Sequence, residues 1–331
     1  MRGWRRPVPV REPFYQRYRE SVIELDGVAK TFDGSVSALR DVSFFVPTGS
    51  VCALLGHNGA GKTTLVKILA TLLRPTAGRA VVSGFDVVRQ PGQVRESIGL
   101  TAQDAALDQV LTGRENLVLF GRLRGLRRQE ARQRAEELIE RFDMRQAADR
   151  PVFTYSGGMR RRIDIAAALV VPPRVLFLDE PTTGLDPRSR RDVWALVASL
   201  KAQNITVLLT TQYLDEADVL SDSVVILDGG RVVARGTAED LKRRMGFGYC
   251  EVTPLNPADL NRVFGLVADI EGAEIDAAAN TVSVPARDGA ATLVMVLRRI
   301  EQLEIELLDI SLRKPSLDEV FLHLTPSSVT V

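Results

Sequence analysis

The spacing of hydrophobic and polar positions changes repeatedly along this chain. Val51-Cys52-Ala53-Leu54-Leu55 and Val175-Leu176-Phe177-Leu178 contain no polar residue, the pattern of strands buried on both faces of a parallel sheet. Thr206-Val207-Leu208-Leu209-Thr210 and Ser223-Val224-Val225-Ile226-Leu227 repeat it. Ile23-Glu24-Leu25 begins an earlier strand, and residues 38–46 alternate like a second, half-buried one. Residues 63–73 predict a helix. So do Leu117-Val118-Leu119-Phe120 and residues 127–142, which put Leu138, Ile139 and Phe142 on one face. The arginines between them, Arg122, Arg124, Arg127, Arg128, Arg132 and Arg134, read as a solvated helical face. Asp228-Gly229-Gly230 signals a hairpin, with residues 231–235 pairing back. Thr237 three before Asp240 marks a capped helix start.

Strands alternating with helices predict an α/β fold. Beyond Met245-Gly246-Phe247-Gly248 the segments shorten into a small α+β pattern (249–252, 261–267, 281–284, 291–300, 305–310). The expected organisation is an N-terminal extension over 1–21, a main domain over 22–245 with a helical part at about 104–168, and an accessory α+β domain over 246–331.

Composition narrows the class. The chain has 331 residues, 45% hydrophobic and 26% charged, which fits about two globular domains. A net charge of +1 gives no support for general nucleic-acid binding, and no nucleic-acid partner is expected. Cys52 and Cys250 have no partner at metal-ligand spacing, so buried reduced thiols in a reducing compartment are expected. Residues 1–20 are Arg-rich, with Trp4, Phe14, Tyr15 and Tyr18, and lack the apolar stretch of a secretory signal. No uncharged apolar run reaches the roughly 20 residues that span a bilayer. A membrane role would therefore need another chain to cross.

Three segments carry chemistry. Gly56-His57-Asn58-Gly59-Ala60-Gly61-Lys62-Thr63-Thr64 follows a buried strand and opens a helix. Glycines there let backbone N–H groups wrap phosphates, and the helix N-terminus adds partial positive charge. Lys62 would reach the outer phosphates of a nucleoside triphosphate, and the Thr63 hydroxyl would ligate Mg²⁺. In Val175-Leu176-Phe177-Leu178-Asp179-Glu180 the strand ends in two carboxylates. Asp179 stands where phosphoryl-transfer enzymes hold Mg²⁺, and Glu180 can polarise an attacking water. Tyr155-Ser156-Gly157-Gly158-Met159 precedes a strongly helical run and reads as a second anion-binding helix start. One chain with one nucleotide loop has no evident need of two phosphate sites. The economical reading gives the second to a nucleotide held by another copy.

The glycine loop, Ser156-Gly157-Gly158 and Leu178-Asp179-Glu180-Pro181, in that order along the chain, resemble the ATP-binding-cassette (ABC) superfamily over residues 22–245. The resemblance implies a P-loop NTPase core of the RecA-like type, with an antiparallel β subdomain and a helical subdomain. It implies ATP and Mg²⁺ as cofactors and a head-to-tail dimer with ATP sandwiched between the glycine loop of one copy and Ser156-Gly157-Gly158 of the other. Phe32 resembles the aromatic that stacks on adenine. Gln103 resembles the glutamine that touches Mg²⁺ and the attacking water, and Asp186 the aspartate that crosses the dimer interface. Two departures stand out. Tyr155 and Met159 replace commoner leucine and glutamine, and Gln212 replaces a histidine. Glutamine cannot carry a proton near neutral pH, so positioning rather than acid–base work is expected of Gln212. His57 stands inside the glycine loop where proline is commoner.

The Tyr-Ser-Gly-Gly-Met-Arg-Arg-Arg run, Thr211-Gln212-Tyr213-Leu214 and the Pro315-Ser316-Leu317-Asp318-Glu319-Val320-Phe321-Leu322 ending are similar to the daunorubicin-resistance type of exporter ATPase. That type implies separately encoded membrane permease subunits, a place at the cytoplasmic face of the membrane, and export of hydrophobic drugs, polyketides or lipids. The alternatives are an importer ATPase, a non-transport ABC ATPase of the translation or DNA-repair kind, and a P-loop kinase. The single cassette speaks against the translation kind, the missing coiled-coil insertion against the repair kind and Ser156-Gly157-Gly158 against the kinase. Only the subgroup resemblance speaks against the importer, which stays open.

Overall fold

A computed structural model describes residues 21–32, 36–101, 106–244, 248–301, 303 and 305–325. The extension expected over 1–21, apart from Ser21, lies outside the described residues, and so does Gln103. The chain divides into two compact units, residues 1–235 and 236–331. The division falls upstream of the boundary read from the sequence. The helix Ala238–Arg244, whose start carries the reciprocal Thr237 and Asp240 caps, packs against Leu317–Leu324 of the second unit.

In the first unit the elements run β1 (Ser21–Phe32), β2 (Val36–Pro47), β3 (Val51–Leu55), α1 (Lys62–Leu69), β4 (Ala77–Val82), β5 (Phe85–Asp86), α2 (Pro91–Ser97) and β6 (Ile98–Thr101). Helices α3 (Gly113–Leu123), α4 (Arg128–Arg141) and α5 (Gly157–Ala168) follow. Then come β7 (Val175–Asp179), α6 (Pro187–Lys201), β8 (Thr206–Thr211), α7 (Leu214–Leu220), β9 (Ser223–Asp228) and β10 (Arg231–Gly236). Six strands form one sheet in the order β10-β9-β3-β8-β7-β6, and four form an antiparallel sheet in the order β2-β1-β4-β5.

The apolar runs became the parallel strands because every residue of β3, β7 and β8 is buried. Leu54, Phe177, Leu208 and Val225 join Phe44, Leu65 and Ile68 in one core. Each such side chain contributes roughly 1.5–3 kcal/mol on leaving water. The parallel register pairs Leu55 with Thr211 and Asp179 with Thr210. That brings the start of the glycine loop, the two carboxylates and the exit of β8 to one end of the sheet. Ligands of open parallel sheets bind at this carboxyl end.

Arg122, Arg124, Arg127, Arg128 and Arg132 of the predicted arginine face are exposed, as a solvated face requires, but Arg122, Arg124 and the half-buried Arg134 also bond carbonyls at helix ends. Arg124 donates to the carbonyls of Arg95, Glu96 and Ile98, capping the end of α2. Arg134 donates to those of Leu169 and Val170 at the end of α5, and Arg122 to Leu126. Helix C-termini present unmatched carbonyls, and a guanidinium satisfies several at once.

The second unit begins with α8 (Ala238–Arg244), followed by β11 (Gly248–Pro254), α9 (Leu260–Gly265), β12 (Glu274–Asp276), β13 (Thr281–Ala286), α10 (Ala290–Glu301), β14 (Leu307–Arg313) and α11 (Leu317–Leu324). Its antiparallel sheet has the order β12-β13-β11-β14. Cys250, Val252, Val263, Val282, Val284, Val296 and Ile300 form its core. Cys52 and Cys250 are both free and buried, and burial pushes each thiol up to about 11. No helix among the described residues is long and apolar enough to cross a membrane.

Candidate functional site

The glycine loop leaves β3 at Gly56, whose N–H donates to the Thr211 carbonyl at 3.4 Å. It enters α1 through Gly61, which has φ +106 and no side-chain cap. A Cβ at Gly61 would also meet the Ala38 carbonyl at 2.6 Å, so both backbone shape and space demand glycine. Asn58 and Gly59 are exposed; Ala60 is buried, and Thr63 and Thr64 are half-buried in the first turn. The loop is a concave backbone surface at a helix N-terminus, the geometry that receives phosphate oxygens.

Lys62 is only 4% exposed, and its ammonium crosses the loop to the carbonyls of Gly56 (2.7 Å) and His57 (3.2 Å). It also lies 3.5 Å from a carboxylate oxygen of Glu180. Burial holds its pKa below the ordinary lysine value, against the pull of Glu180 and Asp179. His57 is fastened outside the cradle. Its Nε2 lies 2.8 Å from Asp228 Oδ1, and its Nδ1 lies 2.6 Å from the Asn58 carbonyl.

Asp179 is buried at the end of β7, with Oδ1 accepting from the Thr210 hydroxyl at 2.5 Å and the Thr63 hydroxyl at 3.4 Å. Glu180 follows in the left-handed region, φ +47. Its N–H is held by both the hydroxyl and the carbonyl of Thr210, at 2.9 and 3.2 Å. A non-glycine residue in this region is strained and is kept there by its surroundings. The strain turns the Glu180 carboxylate off the strand and toward Lys62. Gln212 is half-buried just beyond β8, next to the Thr211 carbonyl that receives Gly56. Lys62, Thr63, Asp179 and Glu180 are thus joined by direct contacts, and Gln212 borders them. Phe32 ends β1, is 38% exposed, and carries the Lys30 ammonium 5.1 Å from its ring centre.

The Ser-Gly-Gly segment forms a second, separate place. Ser156 caps α5 by accepting from Met159 N–H at 3.3 Å, and Ser156 and Gly157 are exposed. Gly158 is buried against α6: a Cβ there would meet Ser189 Oγ at 2.4 Å. Asp186 caps α6, accepting from the Arg188 and Ser189 N–H groups at 3.0 Å and from Ser189 Oγ at 2.7 Å. The Ser189 hydroxyl bond is the main reason its carboxyl sits below the usual range. Tyr155 turns away from this exposed turn. Its side chain is buried, with the hydroxyl donating to the Ala147 carbonyl at 2.7 Å. Among the described residues no hydrogen bond or ion pair links 155–159 to the glycine loop.

Thr210 holds both carboxylate-bearing residues, yet sequence reasoning read it only as part of a strand. A hydroxyl inside a fully buried apolar run was the available signal. Glu216 was also missed. It is fully buried, accepts from the Thr182 hydroxyl (2.9 Å) and the Trp194 indole (3.2 Å), and burial raises its pKa.

Mg²⁺ suits the donors present. The Thr63 hydroxyl and Asp179 carboxylate are hard oxygens facing one another, and no group of three His, Cys, Asp or Glu side chains converges among the described residues. That fits a cation held by one or two protein oxygens plus phosphates and water.

Comparison with known proteins identifies the family. The ABC transporter family matches residues 39–183. The chain is 52% identical over 314 residues to the doxorubicin resistance ATP-binding protein DrrA of Mycobacterium tuberculosis, covering 93% of this chain and 95% of that protein. It is 46% identical over 304 residues to the daunorubicin/doxorubicin resistance ATP-binding protein DrrA of Streptomyces peucetius, covering 92% of each. A solved ATP-binding subunit of an ABC transporter matches with a TM-score of 0.62 at 30% identity, covering 68% of this chain and 94% of that one. The dimeric ATP-binding cassette MJ0796, bound to ADP and Pi, matches with a TM-score of 0.60 at 25% identity, covering 65% and 98%. With likeness of this depth running through both of its units, the chain belongs to the ATP-binding subunits of ABC transporters, in the DrrA-type drug-resistance group.

Proposed function

We propose that two copies of this ATPase close head to tail on Mg²⁺-ATP and drive export of a hydrophobic drug, polyketide or lipid. The path would lie through separately encoded membrane subunits at the cytoplasmic face. One observation carries the reading. Lys62, Asp179 and Glu180 surround a phosphate cradle, while the Ser156 helix start is exposed and makes no hydrogen bond to that cradle. Loading the cradle gives the Lys62 ammonium a better partner than two loop carbonyls, because charge-assisted bonds to phosphate are the stronger ones. Glu180 then loses its cation and is freed to accept hydrogen bonding from a water. The water oxygen bonds to the γ-phosphorus as the bond to the bridging oxygen breaks, and its proton passes by way of Glu180 to the departing phosphate. When bound, Mg²⁺ would neutralise phosphate charge beside Thr63 and Asp179. Gln212 orients the water or the γ-phosphate by neutral hydrogen bonding. Phe32 offers its exposed ring to the adenine, and Asp186 and Gly157 face the second copy. The homologous cassette named above was solved as a dimer with ADP and Pi.

Sedimentation of Glu180→Gln with Mg²⁺-ATP tests this. A stable ATP-dependent dimer with hydrolysis reduced about 100-fold or more is expected, the scale of losing a positioned general base. A variant that stays monomeric with ATP, or turns over normally, refutes the reading. Pull-down of the protein from membranes should bring down a hydrophobic permease; recovery of ribosomes or DNA in its place removes the transport assignment.

A further inference from the structure

The Ser156 helix reaches the backbone on either side of Glu180 in its own copy through one side chain. Arg161 lies on α5, five residues beyond Ser156, and its side chain is nearly buried. Its Nη2 donates to the Asp179 carbonyl at 2.9 Å, and its Nε to the Pro181 carbonyl at 3.0 Å. Those carbonyls stand on either side of Glu180, the residue held at φ +47. The guanidinium therefore grips the peptide group that leads into Glu180 and the one that follows Pro181, bracketing the backbone that carries the Glu180 side chain. Asp164, one turn further along α5, fixes Arg161 from behind through Nη1 at 3.2 Å. The same carboxylate accepts from the Ala106 N–H.

We infer that Arg161 is a positioning residue that holds Glu180 in its hydrolytic orientation and makes that orientation depend on the placement of the Ser156 helix. The inference rests on the dimer reading above. A planar guanidinium suits this task because it sends donors in fixed directions to several acceptors at once. The two carbonyls and the Asp164 carboxylate occupy separate edges of it. A nucleotide of the other copy docking on Ser156 and Gly157 bears on α5, and α5 carries Arg161. Each site would thus report its occupancy to the neighbouring site's Glu180 through a rigid element.

Arg161→Lys tests this, since lysine keeps the charge beside Asp164 but cannot hold both carbonyls in that fixed geometry. The expected result is a kcat lower by about 10- to 100-fold, the effect of misplacing a reacting group by about 1 Å, with KM for ATP unchanged. Dimer formation with Mg²⁺-ATP, read by sedimentation in the Glu180→Gln background, should persist. Unchanged kcat overturns the inference. So does loss of dimerisation together with kcat, which would make Arg161 a mere support of α5. Where R161K does not fold, the double variant R161M/D164N leaves no buried charge unpaired and carries the same expectations. Asp164→Asn alone keeps both carbonyl bonds and loosens only the rear contact, so its kcat should fall less than that of R161K; an equal or larger fall overturns the inference. Failure of the underlying reading shows separately, as an E180Q protein that never dimerises.

Discussion

Two helix N-termini in the first unit are finished in opposite ways. At α1 the chain supplies everything a phosphate needs: a glycine loop, a buried lysine whose ammonium already rests on loop carbonyls, and two carboxylates beyond it. At α5 it supplies a serine cap and two glycines, with Ser156 and Gly157 left exposed. Both ends carry the same partial positive charge and unmatched N–H groups. The difference lies in the cation. A helix dipole alone offers an exposed anion typically 0.3–1 kcal/mol, too little to hold a triphosphate by itself. On the proposed reading, the first terminus binds the nucleotide and the second is added to one already bound.

Removing the cation from the first should have the largest effect. Lys62→Ala should weaken ATP binding and cut hydrolysis by about 100-fold or more, the loss typical of a preorganised charge donor. Unchanged turnover would erase the distinction. Gly158→Ala breaks the second terminus alone. The added methyl meets Ser189 Oγ at 2.4 Å and Cβ at 2.8 Å, an overpacking that costs about 1–3 kcal/mol. ATP-driven dimerisation and hydrolysis should fall while fluorescent-nucleotide binding to the monomer stays. If binding falls equally, the termini are not independent.

A smaller effect is expected at the border of the first. Gln212→Ala should slow hydrolysis by about 10-fold, the low end for a water-orienting group, and Gln212→His should be tolerated. A complete loss in the histidine variant would show that residue 212 does more than position. The smallest effect concerns Asp164, whose carboxyl burial pushes from 3.8 up to about 6 against the pull of Arg161. Below about pH 4 it is protonated folded and unfolded alike. Between 4 and 6 the unfolded chain releases the proton first, so wild type loses stability as pH rises. Above 6 the penalty is complete. Denaturant melts at pH 4, 5, 6 and 7 should show Asp164→Asn gaining on wild type across that window. A gap of opposite slope would mean that the Arg161 pair outweighs burial.

Contiguous features were legible from residues alone. The glycine loop must be consecutive because one stretch of backbone wraps the phosphates, and Gly61 at φ +106 shows why its residue type cannot vary freely. The apolar runs announced a parallel sheet because β3, β7 and β8 are buried on both faces. The arginines of 122–134 form the largely exposed face their spacing announced, but nothing in that spacing shows that Arg124 and Arg134 also cap other helices. The division after Arg235 was missed for a similar reason: Ala238–Arg244 reads as a continuation of the first unit, yet its apolar side finds its partner at Leu317–Leu324.

By itself, the sequence determined that this chain binds a nucleoside triphosphate, that Asp179 and Glu180 end a buried strand, and that Ser156-Gly157-Gly158 opens a second helix. Those are properties of a few neighbouring residues and of backbone shape. Only the tertiary structure decided that Thr210 grips both carboxylate-bearing residues, that Glu180 stands in a strained conformation aimed at Lys62, and that Arg161 holds the carbonyls beside it. Each of these contacts joins positions far apart in the chain. Strand register and helix packing bring them within hydrogen-bond reach, and local residue spacing carries no record of either.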